Sequence, residues 1–274
     1  MIRILLLAAL ACAACTPTSN DPGETASPAP VAKTFATQIE APAPDYSALI
    51  AKPPARPKGE LLREASAPLP SDAKAIGETW RKRLEAKRAI GGYGLAGKGE
   101  DGPIDSISVL MTATDFDAWV AENGWQVPAH IRWDFNPELV APRITPEAEA
   151  KVRIWPASTV RTGAQLEALL GGYVYVRDGC FYMKDPDATG KERLAWFLAE
   201  TGLDVDAEGY LVLVNRHSGE IMARLGENMN WGGPNFIAED DPKIAELKRQ
   251  CGDLEVVNVG NPMSTARWND ERAG

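Results

Sequence analysis

The chain has 274 residues, 45% hydrophobic and 24% charged, a globular composition that excludes collagen-like, coiled-coil or wholly disordered architecture. Its net charge of −9 and pI near 4.9 repel a phosphate backbone and exclude general nucleic-acid binding. Two histidines and four cysteines leave little material for metal sites, and no cofactor is implied.

Met1-Ile2-Arg3 is a short basic start, and Ile4 to Ala14 (ILLLAALACAA) is an unbroken run of apolar and small residues. A membrane-spanning helix takes about 20 residues, so the run reads as an export signal instead. It ends in small residues before cysteine, and there it resembles the lipobox of bacterial lipoproteins, which signal peptidase II cuts just ahead of a lipid-modified Cys. Two cysteines compete: Cys15, after Cys12-Ala13-Ala14, and Cys12, after Ala9-Leu10-Ala11. Both lack the Leu or Val that the family pattern places three positions before the cut. Lipidation of Cys15 discards Cys12 with the signal (residues 1–14) and leaves Cys180 and Cys251 as an even pair, so Cys15 is preferred and Cys12 is the alternative. A plain secretory signal with Ala-x-Ala cleavage is the simpler variant. By resemblance to Gram-negative lipoproteins, in which Asp after the modified Cys retains the protein in the inner membrane, Thr16 implies an outer-membrane anchor with the folded part in the periplasm. Loss of Arg3 takes the net charge from −9 to −10.

Residues 15–59 are rich in Pro, Ala, Ser and Thr without apolar periodicity, a composition that cannot offset chain entropy and reads as a disordered tether. In partly extended form it would reach on the order of 100 Å. Residues 60–104 read as a helix and a Gly-rich linker. Ser71 to Ile90 carries an apolar stripe of Ile76, Trp80 and Leu84, with Ser71 as cap and Gly91-Gly92 as stop. Its other face holds Arg81, Lys82, Arg83, Lys87 and Arg88. These suit a solvated face better than a lipid or peptidoglycan contact, because Glu78 and Glu85 interrupt them. Gly92-Tyr-Gly94-Leu-Ala-Gly97 matches G-x-G-x-x-G, yet it follows a helix rather than a strand and precedes polar residues, so it reads as a hinge.

Residues 105–260 read as an α+β core, mainly an antiparallel meander or small barrel with short flanking helices. Ser106 to Ala113 is a strand and Thr114 to Asn123 a short helix; Thr162 caps a turn or two of helix over TGAQLEALL. Short β-type runs follow at Tyr173–Val176, Cys180–Met183, Leu194–Leu198, Tyr210–Val214 and Glu220–Leu225, separated by Gly turns. A helix over Asp241–Gln250 and a strand over Leu254–Val259 close the core, and residues 261–274 read as a flexible tail. The pieces YVYVRDGCFYM, LAWF, EGYLVLV and MARLGENMNWGGPN, between Gly172 and Pro234, resemble a small β-domain of uncharacterised exported bacterial proteins. That resemblance implies a fold and no chemistry.

Cys180 and Cys251 suit a periplasmic disulfide better than a thiol hydrolase with His130 or His217. Neither histidine has a partner at zinc spacing, and neither H-E-x-x-H nor G-x-S-x-G occurs. Asp204-Val-Asp206-Ala-Glu208-Gly209 and Asp185-Pro-Asp187-Ala-Thr189-Gly190 present oxygens like calcium loops but lack the Glu at position twelve, and they sit where turns are expected. Most of the eight tryptophans, among them Trp119, Trp125, Trp133, Trp155 and Trp196, suit a core. Trp231, flanked by Asn230 and Asn235, is the candidate platform for stacking on a sugar. The expectation is an outer-membrane lipoprotein, no catalytic residue assigned, whose periplasmic domain binds an envelope protein or glycan. An envelope hydrolase with concealed catalytic residues and a structural envelope protein are the alternatives.

Overall fold

A computed structural model describes residues 34–50, 57–99, 102–163, 168–186, 190–233, 235, 237 and 241–273. The described residues hold six helices and thirteen strands in three mainly antiparallel sheets, an α+β fold as expected. No helix among them is long and apolar enough to cross a membrane. The expected signal and both lipobox cysteines lie outside the described residues.

The first described segment corrects the expected tether. From Thr34 the chain runs against the body as a strap that ends in α1 (Tyr46–Ile50). Gln38 pairs with Val176 in an antiparallel bridge, and its side-chain amide donates to the Leu211 and Leu225 carbonyls while accepting from the Leu211 N–H. Tyr46 is 2% exposed. Composition missed this because the strap is held by hydrogen bonds rather than by an apolar stripe. Gly226 makes room for it: its φ is +90°, and a Cβ there would lie 2.9 Å from the Glu40 and Ala41 backbone.

The next elements are β1 (Leu62–Arg63), α2 (Ala73–Ala86), β2 (Ile90–Gly99), β3 (Gly102–Val109), α3 (Ala113–Glu122) and β4 (Arg132–Phe135). They form one lobe with strand order β1-β4-β3-β2, in which β3, α3 and the parallel β4 make a βαβ unit. Period-two residues Ile107 and Val109 of β3 pack with Trp80 and Leu84 of α2, Phe116 of α3 and Trp133 of β4. Thr112 caps α3 by accepting from the Asp115 N–H at 3.1 Å. Three expectations change. Helix α2 ends before Ile90, and Asp72, not Ser71, sits at its N-cap, without a side-chain cap bond. The Gly-rich hinge is instead β2, paired with β3 from Ile90 to Gly99, so no boundary falls at residue 104. Glycine permits that close pairing: a Cβ on Gly91 would stand 2.8 Å from Ser108 Oγ.

The second lobe contains α4 (Pro146–Lys151), β5 (Ala168–Arg177), β6 (Cys180–Lys184), β7 (Arg193–Trp196), β8 (Thr201–Val205), β9 (Leu211–Asn215), β10 (Ile221–Arg224) and β11 (Asn228–Gly233). It is completed by α5 (Pro242–Cys251), β12 (Val256–Asn258), β13 (Met263–Ser264) and α6 (Thr265–Ala273). A six-stranded sheet, β12-β7-β6-β5-β11-β13, joins a three-stranded sheet, β10-β9-β8, around a common core. Alternation assigns the faces: Val174, Val176, Phe181 and Met183 point into that core, whereas Tyr175, Cys180 and Tyr182 meet Ile244 and Leu247 of α5. Cys180 and Cys251 are disulfide-bonded with Cα atoms 5.7 Å apart, fastening α5 to the sheet. The helix expected over TGAQLEALL is corrected where it is described. Residues 168–170 begin β5 and pair with β11, Leu170 opposite Trp231, because a short apolar run fits either period. The expected flexible tail is β13 and α6, with Ser264 and Arg267 buried.

Candidate functional site

Where β8, β9 and β10 end beside the Asn261–Pro262 segment, Glu200, Thr201, Asn215, His217 and Met222 line a cavity of about 60 Å³. Glu200 stands just before β8, buried, and the loop ahead of β5 grips its carboxylate. Oε1 accepts from Arg161 Nε at 2.9 Å and from the Thr162 N–H at 3.1 Å, and Oε2 accepts from the Thr162 hydroxyl. Burial pushes this carboxyl up, but the bonds from Thr162 and Arg161 outweigh burial and hold it below the usual carboxylate range. His217 lies in the β9–β10 turn, its backbone N–H donating to Asn215 Oδ1 at 2.9 Å. Burial, then the positive charge of Arg161, pushes its imidazole below the ordinary value of 6.5, with Glu200 pulling the other way. At neutral pH the ring is therefore uncharged.

Three arginines converge on the loops around Glu200. Arg161 Nη2 donates to the Pro137 carbonyl at 3.1 Å; Arg216 donates from Nε to Ala141 at 3.1 Å and from Nη1 to Ala199 at 2.6 Å; Arg143 donates to Ala157. Irregular segments carry carbonyls that no sheet satisfies, and guanidinium groups are suited to collect them. Arg161 pairs with the Glu200 carboxylate at 2.9 Å, and among the described residues Arg143 and Arg216 form no ion pair. Burial lowers the pKa of both, and for Arg216 the neighbouring charges of Arg143 and Arg161 lower it further.

The residues singled out in the sequence are dispersed. The exposed ring expected at Trp231 is absent: Trp231 is 3% exposed within the common core, with Nε1 unpartnered, and it offers no stacking face to a sugar. Period-two alternation along β11 turns Asn230 to the opposite side, and Asn235 Nδ2 bonds the Gly232 carbonyl at 3.0 Å. His130 is buried in the first lobe, between α3 and β4, whereas His217 lies in the second. The disulfide occupies both sulfurs that a thiol hydrolase would need. In the Asp204–Gly209 segment, Asp204 belongs to β8 and accepts from Thr145, while Asp206 is engaged by Arg224 and by turn N–H groups. The other calcium-like segment lies partly outside the described residues, and no cluster of three metal-ligating side chains occurs among the described ones.

A second polar knot ties the chain ends together. Buried Glu227 accepts from Tyr46 Oη at 2.9 Å, from the Arg224 N–H at 2.9 Å and from the Ser264 hydroxyl. Burial raises its pKa despite these bonds. Every donor is internal, so this knot closes the fold rather than facing a ligand. Sequence reading passed over Glu200, Arg143, Arg161 and Arg216, which share no spacing. The one available signal was the cationic density of the loops around PRITP, TVRTG and VNRHSG. In comparisons with known proteins, no family model, no curated protein and no solved structure matches the chain.

Proposed function

We propose that the chain is an exported lipoprotein, anchored through Cys15 to the outer membrane, whose folded unit serves in the periplasm as a binding domain for an envelope partner or glycan. The observation that supports export is the Cys180–Cys251 bridge, since such bonds persist in oxidising compartments and are rare in the cytosol. The bridge also agrees with the cysteine arithmetic that prefers Cys15 over Cys12 as lipid carrier. For the binding role, the support is the concentration of buried ionic groups around Glu200, which the fold alone does not require.

The alternative of an envelope hydrolase draws on the shared cavity of Glu200 and an uncharged His217, a pairing of acid and base types. Binding is favoured because Arg161 and Thr162 already engage the Glu200 carboxylate, which leaves it poorly placed to act as a general acid or base. Expression with and without globomycin, alongside Cys15→Ala, tests the anchor. Accumulation of unprocessed precursor in both, with mature protein in the detergent phase only for untreated wild type, is expected. Normal maturation of Cys15→Ala into the detergent phase would refute Cys15 as the carrier.

A further inference from the structure

We propose that the cavity beside Glu200 takes the acetamido group of an N-acetylated sugar, with Thr201, Asn215 and Asn261 as its hydrogen-bonding wall. Size sets the first limit. The cavity is about 60 Å³, roughly two water volumes at ~30 Å³ each, so it admits one small group of about four non-hydrogen atoms and leaves a sugar ring outside. Charge sets the second limit. The one carboxylate in the lining, Glu200, is paired with Arg161 at 2.9 Å, and His217 is uncharged at neutral pH. The lining therefore presents no unpaired formal charge, which suits a neutral group rather than an ion.

Donors and acceptors are both present, and several are under-used. Thr201 is 4% exposed, yet its hydroxyl reaches the Gly260 carbonyl and Asn261 Oδ1 only at 3.5 Å, beyond the ~2.8 Å of a good hydroxyl bond. Asn215 Oδ1 accepts from the His217 N–H at 2.9 Å, while Asn215 Nδ2 donates to no group among the described residues and is not closed off from solvent. The Nδ2 of Asn261, an exposed residue, likewise has no acceptor among the described residues. Arg161 and Thr162 supply three donors to Glu200, and a carboxylate has about four acceptor positions. Val214, Met222 and Pro262 complete the lining with apolar surface. An acetamido group matches this set: its methyl meets the apolar side, its carbonyl accepts from the asparagine amides and the Thr201 hydroxyl, and its N–H donates to the remaining Glu200 position. A bare hydroxyl would leave the apolar side unfilled, and an anion would face the Glu200 carboxylate. This site deepens the binding reading above. A glycan as the source of the group rests on that reading, while binding itself is read on the purified chain.

The experiment is a methionine-methyl NMR titration of the mature protein at pH 7 with N-acetylglucosamine, glucose and Nε-acetyllysine. The Met222 signal, assigned through Met222→Leu, should shift and saturate with N-acetylglucosamine at a Kd on the order of 1 mM, and glucose should bind about tenfold more weakly or worse. Thr201→Val and Asn261→Ala should each weaken binding about fivefold or more, with dispersed methyl signals reporting that the variants are folded. Asn261 is exposed, so its replacement keeps the test open if Thr201→Val does not fold. No saturable shift at Met222, a shift confined to other methionines, equal binding of glucose, or unchanged affinity in both variants would overturn the site. Tighter binding of acetyllysine would overturn its assignment to a sugar. An anchored protein that fails this titration loses the site and keeps the lipoprotein reading; one that binds but is not anchored through Cys15 keeps the site and loses that reading.

Discussion

Around the β1–β4 sheet, Trp80, Phe116 and Trp133 fill a core whose buried polar residues are Asp105 and His130, whereas the second lobe buries Glu200, Thr201, Arg224, Glu227, Asn258, Ser264 and Arg267. In the first lobe, ring contacts organise the packing. Trp80 meets Trp133 at 5.2 Å and Phe116 meets Trp133 at 5.0 Å, and even the charges of α2 are used locally. Arg83 lies 4.0 Å over Trp125, and Arg81 pairs with Glu78 and Glu85. In the second lobe, an apolar core of similar character is combined with a disulfide and two polar knots. Aromatic packing needs only shape, while buried ionic groups need every partner in place. The difference concentrates buried polar contacts in the second lobe, while aromatic contacts dominate the packing of the first.

The largest effects should come from both apolar cores alike. Trp80→Ala in the first lobe and Phe181→Ala in the second should each cost about 4 kcal/mol by urea unfolding, since each removes a side chain that is no more than 2% exposed. A much smaller loss at Trp80 would mean that the first lobe contributes little to the cooperative unit. Replacement of both Cys180 and Cys251 by Ala should cost about 4 kcal/mol on the loop-entropy account for a bridge spanning 71 positions. Reduction of the wild type should lower the midpoint comparably, and an unchanged midpoint would contradict the fastening of α5. Glu227→Ala should cost about 3 kcal/mol, because the Tyr46 and Ser264 hydroxyls and the Arg224 N–H lose their acceptor together. Proteolysis should then open the strap first; resistance equal to wild type would sink this account of the knot.

Strong local rules made much of the architecture legible. Alternating runs flanked by Gly turns located β6, β9 and β10, and Asp241 before Pro242 marked the start of α5, where its side chain accepts from the Lys243 N–H. The strap was hidden because Gln38 works through one amide reaching Leu211 and Leu225, residues more than 170 positions away. The tail was hidden for the same reason: Ser264 is buried by Glu227, not by its own neighbours in sequence. Strand β2 reads as a hinge until Ser108 is known to lie against Gly91. Trp231 stands among polar residues in the sequence, yet alternation along β11 gives Asn230 the opposite face. The arginines around Glu200 come from three separate loops, and only the folded chain brings them to Ala141, Ala157 and Ala199.

The charges around Glu200 report through His217, one of only two histidines in the chain. Burial and then Arg161 depress this group, so its neutral form is favoured by the fold. Its contribution to stability is fully present above the unfolded value near 6.5 and is lost as pH falls through the depressed folded value. Nitrogen NMR titration of the two imidazoles, in the wild type and in Arg161→Gln, tests the account most directly. The His217 midpoint should lie below 6.5 and should rise in Arg161→Gln, because that variant removes the positive charge that lowers it. A midpoint at or above 6.5, or one that Arg161→Gln leaves unmoved, would contradict the buried setting of His217 beside Arg161.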